Sequence, residues 1–246
     1  MRNKKMNIGT SGWSYKHWKN VFYPEGMKPT DYLPFYAKEY EATEINTSFY
    51  HLPRESTVIQ WTEKVPKQFR FCVKMSRFIT HVKRLLEPDE ALDRFFDVFK
   101  HMKEKMGPVL IQLPPSLKFE YERAGHFFSV LKQNHKEYDF ALEVRHETWM
   151  AEESLTLMAK YDIAFVISQS GARFPYAETV TSKNIYIRFH GPKELYASAY
   201  TDEMLADFAK KFKAWIKEGH YIWVFFNNDI HAYALSNAKT LMTMME

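Results

Sequence analysis

The stretch Asp89-Glu-Ala-Leu-Asp-Arg-Phe-Phe-Asp-Val-Phe-Lys-His-Met-Lys-Glu-Lys-Met-Gly-Pro-Val-Leu-Ile-Gln-Leu113 holds the repeating unit that decides the fold. Leu92, Phe95, Phe96, Phe99, Met102 and Met106 recur at three- and four-residue steps, the signature of a helix with one apolar face. Asp89 stands where a cap would start that helix, and Gly107-Pro108 stops it. Val109–Leu113 then runs apolar without clean alternation, as expected of a short strand covered on both faces. Helix, stop and buried strand in that order imply a parallel sheet.

Working outward from this unit, eight such strands are predicted: Met6–Gly9, Thr43–Asn46, Arg70–Met75, Val109–Leu113, Phe140–Arg145, Ile163–Ser168, Ile185–His190 and Tyr221–Phe226. Their starts lie about 22 to 39 residues apart, close to the roughly 30 residues of a βαβ unit. A second strong helix spans Thr201 to Lys217. Thr201 is its candidate N-cap, Asp202 and Glu203 suit the positive end of the helix dipole, and Gly219 closes it. Its stripe is Met204, Leu205, Phe208, Phe212, Trp215 and Ile216. Eight units in 246 residues, with no linker or composition break, predict a single (β/α)8 TIM-type barrel spanning residues 1–246 in preference to an open doubly wound sheet. The longer connections, Thr10–Thr43, Ser76–Pro108 and Gly191–His220, leave room for extra elements over the barrel mouth.

Composition bounds the function classes. Apolar residues make up 46% of the chain and aromatic residues 17%, which is enough for a sizeable core. A net charge of +4, from 34 basic and 30 acidic side chains, argues against a long nucleic-acid groove and allows a mild preference for small anionic partners. Cys72 is the only cysteine, so neither a disulfide framework nor a cysteine zinc site is available, and its apolar surroundings read as core. The basic start Met1–Asn7 is followed by no apolar stretch of a signal peptide, and no apolar run is long enough to span a bilayer. A cytoplasmic setting is the expectation.

A barrel enzyme draws its functional groups from the strand C-termini and the loops beyond them. Read in order, those ends offer Trp13 and Tyr15 after the first strand, then Glu44, Asn46 and Tyr50, then Lys74, then Gln112. They continue with Glu143, Arg145, His146 and Trp149, then Ser168 and Gln169, then Arg188 and His190, and finally Asn227, Asn228 and Asp229. Period-two geometry puts Glu44 with Asn46, Glu143 with Arg145, and Arg188 with His190 on shared faces. If those faces point inward, Lys74, Arg145 and Arg188 converge on Glu44 and Glu143. Two readings stand: an ion-pair network that fills the upper barrel, or a ligand site. In the second, Lys74, Arg145 and Arg188 hold an anion, Glu44 or Glu143 serves as acid or base with His190 as the alternative, and Asn46, Gln112, Asn227 and Asn228 orient the substrate. Asp229 would anchor a basic residue.

Three motif readings fail. Gly9-Thr-Ser-Gly12 has neither dinucleotide nor Walker spacing, His146-Glu147 lacks a second histidine, and Ser168-Gln-Ser-Gly171 is not a nucleophile elbow. His146, His190, Glu44, Glu143 and Asp229 could supply metal ligands as in metal-dependent barrel hydrolases, but no short spacing singles them out, and the cofactor stays open. A non-catalytic module that holds a metabolite or nucleic-acid end is the alternative to an enzyme.

Several stretches together carry a resemblance. They are Gly9-Thr-Ser-Gly-Trp-Ser-Tyr15, Phe22-Tyr-Pro24, Glu44-Ile-Asn-Thr-Ser-Phe-Tyr50, Phe71-Cys-Val-Lys74 and Gly107-Pro-Val-Leu-Ile-Gln-Leu-Pro-Pro115. The set continues with Glu143-Val-Arg-His146 and Trp149, Tyr186-Ile-Arg-Phe-His-Gly191, Phe226-Asn-Asn-Asp229, Ala234 and Asn237-Ala238. In this order the chain resembles the YecE-like family known as domain of unknown function 72. The resemblance implies a (β/α)8 barrel and implies no activity. Thr47-Ser48 reverses the family's Ser-Thr order and leaves Glu44 and Asn46 unaffected.

Overall fold

A computed structural model describes residues 5–246; of the basic start, residues 1–4 lie outside the described residues. Eight strands form one parallel sheet: β1 (Met6–Thr10), β2 (Ala42–Ile45), β3 (Arg70–Val73), β4 (Val109–Gln112), β5 (Phe140–Glu143), β6 (Ile163–Gln169), β7 (Asn184–Phe189) and β8 (Tyr221–Phe226). Their order is β3-β2-β1-β8-β7-β6-β5-β4. The remaining seam, between β3 and β4, is pinned by bridges Phe71–Met106 and Lys74–Leu110, with Gly107 N donating to Phe71 O at 2.9 Å and Met75 N to Leu110 O at 2.8 Å. The result is the TIM-type barrel expected from the strand spacing.

Eight α-helical segments accompany the strands: α1 (Tyr32–Glu39), α2 (Thr47–Tyr50), α3 (Glu55–Glu63), α4 (Asp89–Phe99), α5 (Tyr121–Asn134), α6 (Glu152–Lys160), α7 (Asp202–Lys217) and α8 (Tyr233–Met244). Two details differ from expectation. The helix begun at Asp89 ends at Phe99 and tightens into 3-10 turns over Lys100–Lys105, and Asp89 is its first helical residue rather than a side-chain cap. The β6–β7 connection, residues 170–183, contains no helix; Gly171, at positive φ, and Pro175 interrupt it. Thr201 does cap α7, its Oγ1 accepting from Met204 N at 3.4 Å.

The barrel has two cores. Between strands and helices lies a large aromatic-rich one that takes in Leu92, Phe95, Phe96, Phe99 and Met102 from the Asp89 stripe and Leu205 and Phe212 from α7. Inside the barrel is a smaller one of Ala42, Cys72, Leu110, Ala141, Ala164, Val166, Tyr186, Trp223 and Phe225. Several of these side chains are small because backbones crowd there. A Cβ on Gly9 would lie 1.8 Å from Ala42 O, so only glycine lets β1 sit this close to β2.

The inner core also fixes what stands above it. Side chains on one face of a strand repeat every second residue. Ala42 is therefore followed inward by Glu44, Cys72 by Lys74, Leu110 by Gln112, Ala141 by Glu143, Val166 by Ser168, Tyr186 by Arg188 and Phe225 by Asn227. An apolar layer thus turns polar at the C-terminal end of seven strands.

Candidate functional site

Arg188 is the centre of that polar layer. Its Nε and Nη2 donate to the two oxygens of Glu44 at 2.8 and 2.9 Å, and its Nη1 donates to Glu143 Oε2 at 2.8 Å. One guanidinium from β7 therefore bridges carboxylates from β2 and β5. Each carboxylate collects further donors. Glu44 accepts from Tyr186 OH at 2.8 Å and from Ser11 Oγ. On Glu143, Oε1 accepts from Ser168 Oγ (2.9 Å), Arg145 Nη2 (2.8 Å) and His190 Nε2 (2.9 Å). Glu44, Glu143, Arg188 and His190 are all buried.

Such burial has to be offset by pairing. On its own it would raise Glu44, but the charge and hydrogen bonds of Arg188 outweigh it and hold the carboxyl below its usual range. Burial acts likewise on Glu143, and the charges of Arg145 and Arg188 hold it well below the usual range. His190 moves the other way: burial depresses its imidazole to about 4 against the opposing pull of Glu143. Neutral His190 donates from Nε2 to Glu143 and accepts at Nδ1 from Asn227 Nδ2 at 3.1 Å, which fixes its tautomer. Each carboxylate thus meets four donors, those of Glu44 spread over both oxygens and those of Glu143 gathered mostly on Oε1.

Lys74 departs from the expected convergence. Its Nζ donates to Gln112 Oε1 at 2.7 Å and lies 4.2 Å from the Phe49 ring centre; among the described residues it forms no ion pair. The reason is register. Glu44 pairs with Cys72, so Lys74 stands one inward position further along β3 than Glu44 does along β2, and its amine meets Gln112 rather than a carboxylate. Burial, and then the Arg188 charge, depress its ammonium to about 7, with Glu143 and Glu44 opposing and Arg145 reinforcing.

Arg145 is the second incompletely satisfied cation. It stacks on Phe174, guanidinium carbon 3.4 Å from the ring centre, and only 3% of its side chain is exposed. Its Nε and Nη1 are buried without a hydrogen-bond partner, and so is Asn46 Oδ1.

A cavity of about 440 Å³ opens over this layer. It is lined by Tyr15, His17, Asn46, Tyr50, Lys74, Gln112, Arg188, Tyr196, Asn227, Asp229 and Ile230. A larger one, about 630 Å³, lies at the strand starts, where Met6, Asn7, Arg70, Asn184, Tyr221 and Trp223 contribute. The smaller is the better candidate, because functional groups of this fold gather at strand C-termini while the opposite end serves stability.

Eight of the expected residues line the smaller cavity, Glu44, Glu143, Arg145 and His190 lie in the buried network, and four stand apart from both. Trp149 is core, its Nε1 donating to Leu117 O at 2.9 Å beside Phe119. Trp13 packs edge-on against Trp61 and Phe71. The ring of His146 caps a short turn, Nδ1 accepting from Thr148 N at 3.2 Å. Asn228 ties α8 to the β7–α7 loop through Asn237 and Ser198 O. Asp229 anchors His17 at 2.9 Å and Trp18 Nε1 at 2.7 Å, and burial raises its carboxyl to about 6 against the opposing His17 charge. His17, Tyr186, Phe174 and Tyr196 join the site without having been expected in it. Tyr186 alone carries a signal in the sequence, its inward parity with Arg188.

Among the described residues, no group of three or more His, Cys, Asp or Glu side chains is arranged to hold a metal ion. Likewise, no helix there is long and apolar enough to cross a membrane.

Fold and site together define the class, a parallel TIM-type barrel with a buried arginine–carboxylate network beneath an open C-terminal mouth. The chain belongs to the family described as "Protein of unknown function DUF72", which matches residues 7–246. Among relatives, UPF0759 protein YunF of Bacillus subtilis is 24% identical over 97% of this chain and 94% of its own length. UPF0759 protein YecE of Escherichia coli is 30% identical over 61% of this chain, a match that spans about half (53%) of YecE. Among solved structures, the DUF72 family protein TM1631 of Thermotoga maritima superposes with a TM-score of 0.86 at 29% identity, covering 98% of each chain. A DUF72 family protein of Enterococcus faecalis gives a TM-score of 0.84 at 20% identity over 98% of this chain and 95% of that one.

Proposed function

We propose that the C-terminal mouth binds a small anionic metabolite, one bearing a carboxylate or phosphate, and that the protein is an enzyme acting on it. The observation that carries this reading is unneutralised positive charge beside a cavity. Arg188 and Arg145 are balanced by Glu44 and Glu143, while Lys74, at the cavity wall, has no carboxylate partner. An anion in the cavity would pair with Lys74 by charge-assisted hydrogen bonds. The cavity volume suits a small metabolite. In this reading Glu44 and Glu143 set the position of Arg188 and Arg145, while Asn46, Gln112 and Asn227 orient the ligand. Proton transfer falls to groups facing the cavity, Lys74 and Asp229. The buried single cysteine suits a reducing compartment, and we place the protein in the cytoplasm.

Thermal shift and calorimetry with inorganic phosphate and malonate at millimolar concentration test the reading. One of the two should stabilise the wild-type protein beyond chloride at equal ionic strength, and Lys74→Met should bind it about tenfold more weakly, the effect of one charge-assisted contact. Stabilisation that is absent, or unchanged in Lys74→Met, would overturn it.

A further inference from the structure

We infer that Lys74 forms a covalent imine with the substrate, and that the substrate is therefore an anionic aldehyde or ketone. This rests on the anion-binding reading of the mouth and adds to it the reacting bond.

The argument begins with placement. Lys74 follows directly on β3, and its backbone is held on both sides, Lys74 N donating to Ile45 O at 3.0 Å and Met75 N to Leu110 O at 2.8 Å. Its chain rises into the cavity that Asn46, Gln112, Arg188 and Asn227 also line. Its ammonium ends on an amide oxygen and an aromatic ring, not on a carboxylate. Gln112 can orient the amine but cannot hold its proton by charge. The charged groups around Lys74 are Arg188 on β7, Glu44 on β2, and Glu143 and Arg145 at the end of β5. Their mutual pairing leaves the ammonium without a counter-ion. His81, packed on Phe49 and held neutral by burial and the Lys74 charge, is the other titratable neighbour.

With the ammonium depressed to about 7, about half the amine is free at neutral pH, against roughly one part in two thousand for a lysine at ~10.4. The nitrogen lone pair attacks the carbonyl carbon and a C–N bond forms. The carbonyl oxygen takes up a proton, and the carbinolamine then loses that oxygen as water while nitrogen gives up its two N–H protons. The step balances as one carbonyl group plus the primary amine of Lys74 giving one imine plus one water, with no oxidant or metal needed. Asp229, on the same cavity wall, is one acid able to protonate the leaving oxygen. The edge of Arg188 that lines the cavity would hold the carboxylate or phosphate adjacent to the carbonyl.

The test is reductive trapping on the full chain. Glyoxylate, pyruvate and dihydroxyacetone phosphate serve as probes, with sodium cyanoborohydride to add hydride to the imine carbon and leave a stable secondary amine. Intact mass and peptide mapping should show one adduct per chain, located at Lys74, with at least one probe. Its rate should rise about tenfold per pH unit below 7 and level off above it. Lys74→Arg, which keeps the charge, should lose the adduct. Label spread over surface lysines, or unchanged in Lys74→Arg, would overturn the inference, and mapping of the wild-type chain decides this even if the variant does not fold. If phosphate binding depends on Lys74 but no probe is trapped there, the imine falls and the anion site stands. If anions do not bind at all, the reading beneath it falls as well.

Discussion

Replacing Arg188 by Met tests whether the buried network is held together as described. Met fills much of the arginine's length but leaves two carboxylates with nothing from β7. They do not suffer equally. Glu143 keeps Arg145 at 2.8 Å, together with Ser168 and His190, whereas Glu44 keeps only Ser11 and Tyr186 and loses its sole cation. Removing one partner of a buried ion pair costs about 3–5 kcal/mol. At about 2–4 °C per kcal/mol for a chain of this size, Tm should fall by roughly 6–20 °C at pH 7. The pH dependence is the sharper readout. In the wild-type protein both carboxyls sit below their unfolded value of ~4.3, so their contribution is full above that pH and is lost only as pH falls through the lowered native values. In Arg188→Met the orphaned Glu44 is raised by burial, and the sign reverses. Its penalty is full at high pH and fades as acid protonates it, so the gap to wild type should narrow from pH 7 to pH 5. Urea midpoints across that range, with Glu44→Gln added to the variant, complete the assay; the double variant should recover part of the loss. A loss below about 1 kcal/mol, or a gap that is flat or widens on acidification, would refute the network as the keystone of this end of the barrel.

Two further outcomes follow from single positions. Gly107→Ala would place a Cβ 2.4 Å from the Trp223 ring and 2.8 Å from Cys72 Sγ, at the seam that closes the barrel, and should cost about 1–3 kcal/mol by overpacking in urea unfolding; a neutral effect would mean that the seam can breathe. Asp229, raised to about 6 in the fold from ~3.9 unfolded, contributes stability that is full below ~3.9 and lost as pH rises through about 6, so Asp229→Asn should gain on wild type between pH 5 and pH 7. A difference in urea midpoint that does not change with pH would contradict that assignment.

How much of this is legible in the sequence depends on the range of the cause. Helix stripes and strand parity are local, and they yield the barrel together with the inward set Glu44, Glu143, Arg188 and His190. Register is not local. Lys74 has the right parity to meet the carboxylates, but Glu44 pairs with Cys72 rather than with Lys74, and Gln112 receives the amine instead. Loop contacts lie further out of reach. His17 and Trp18 meet Asp229 across more than two hundred residues, and Phe174 covers Arg145 from a connection that has no helix. Trp149 shows the converse error, because proximity in sequence to Glu143 does not keep a large indole out of the core.

The network itself bears on function, because it is a poor way to gain stability. Well-packed apolar side chains in place of a buried ion-pair cluster are often neutral or stabilising. Just below, the same seven strands carry an apolar layer, so nothing in the backbone demands charge above it. What the charges provide is position. Glu44 and Glu143 fix Arg188 by three hydrogen bonds and Arg145 by one, and Phe174 covers the latter's face. Of the three cations, only Lys74 at the cavity wall lacks a carboxylate partner. On the ligand-site reading proposed above, rigid paired cations beside an amine without a carboxylate partner would be a preorganised arrangement, with the ordering energy spent before a ligand arrives.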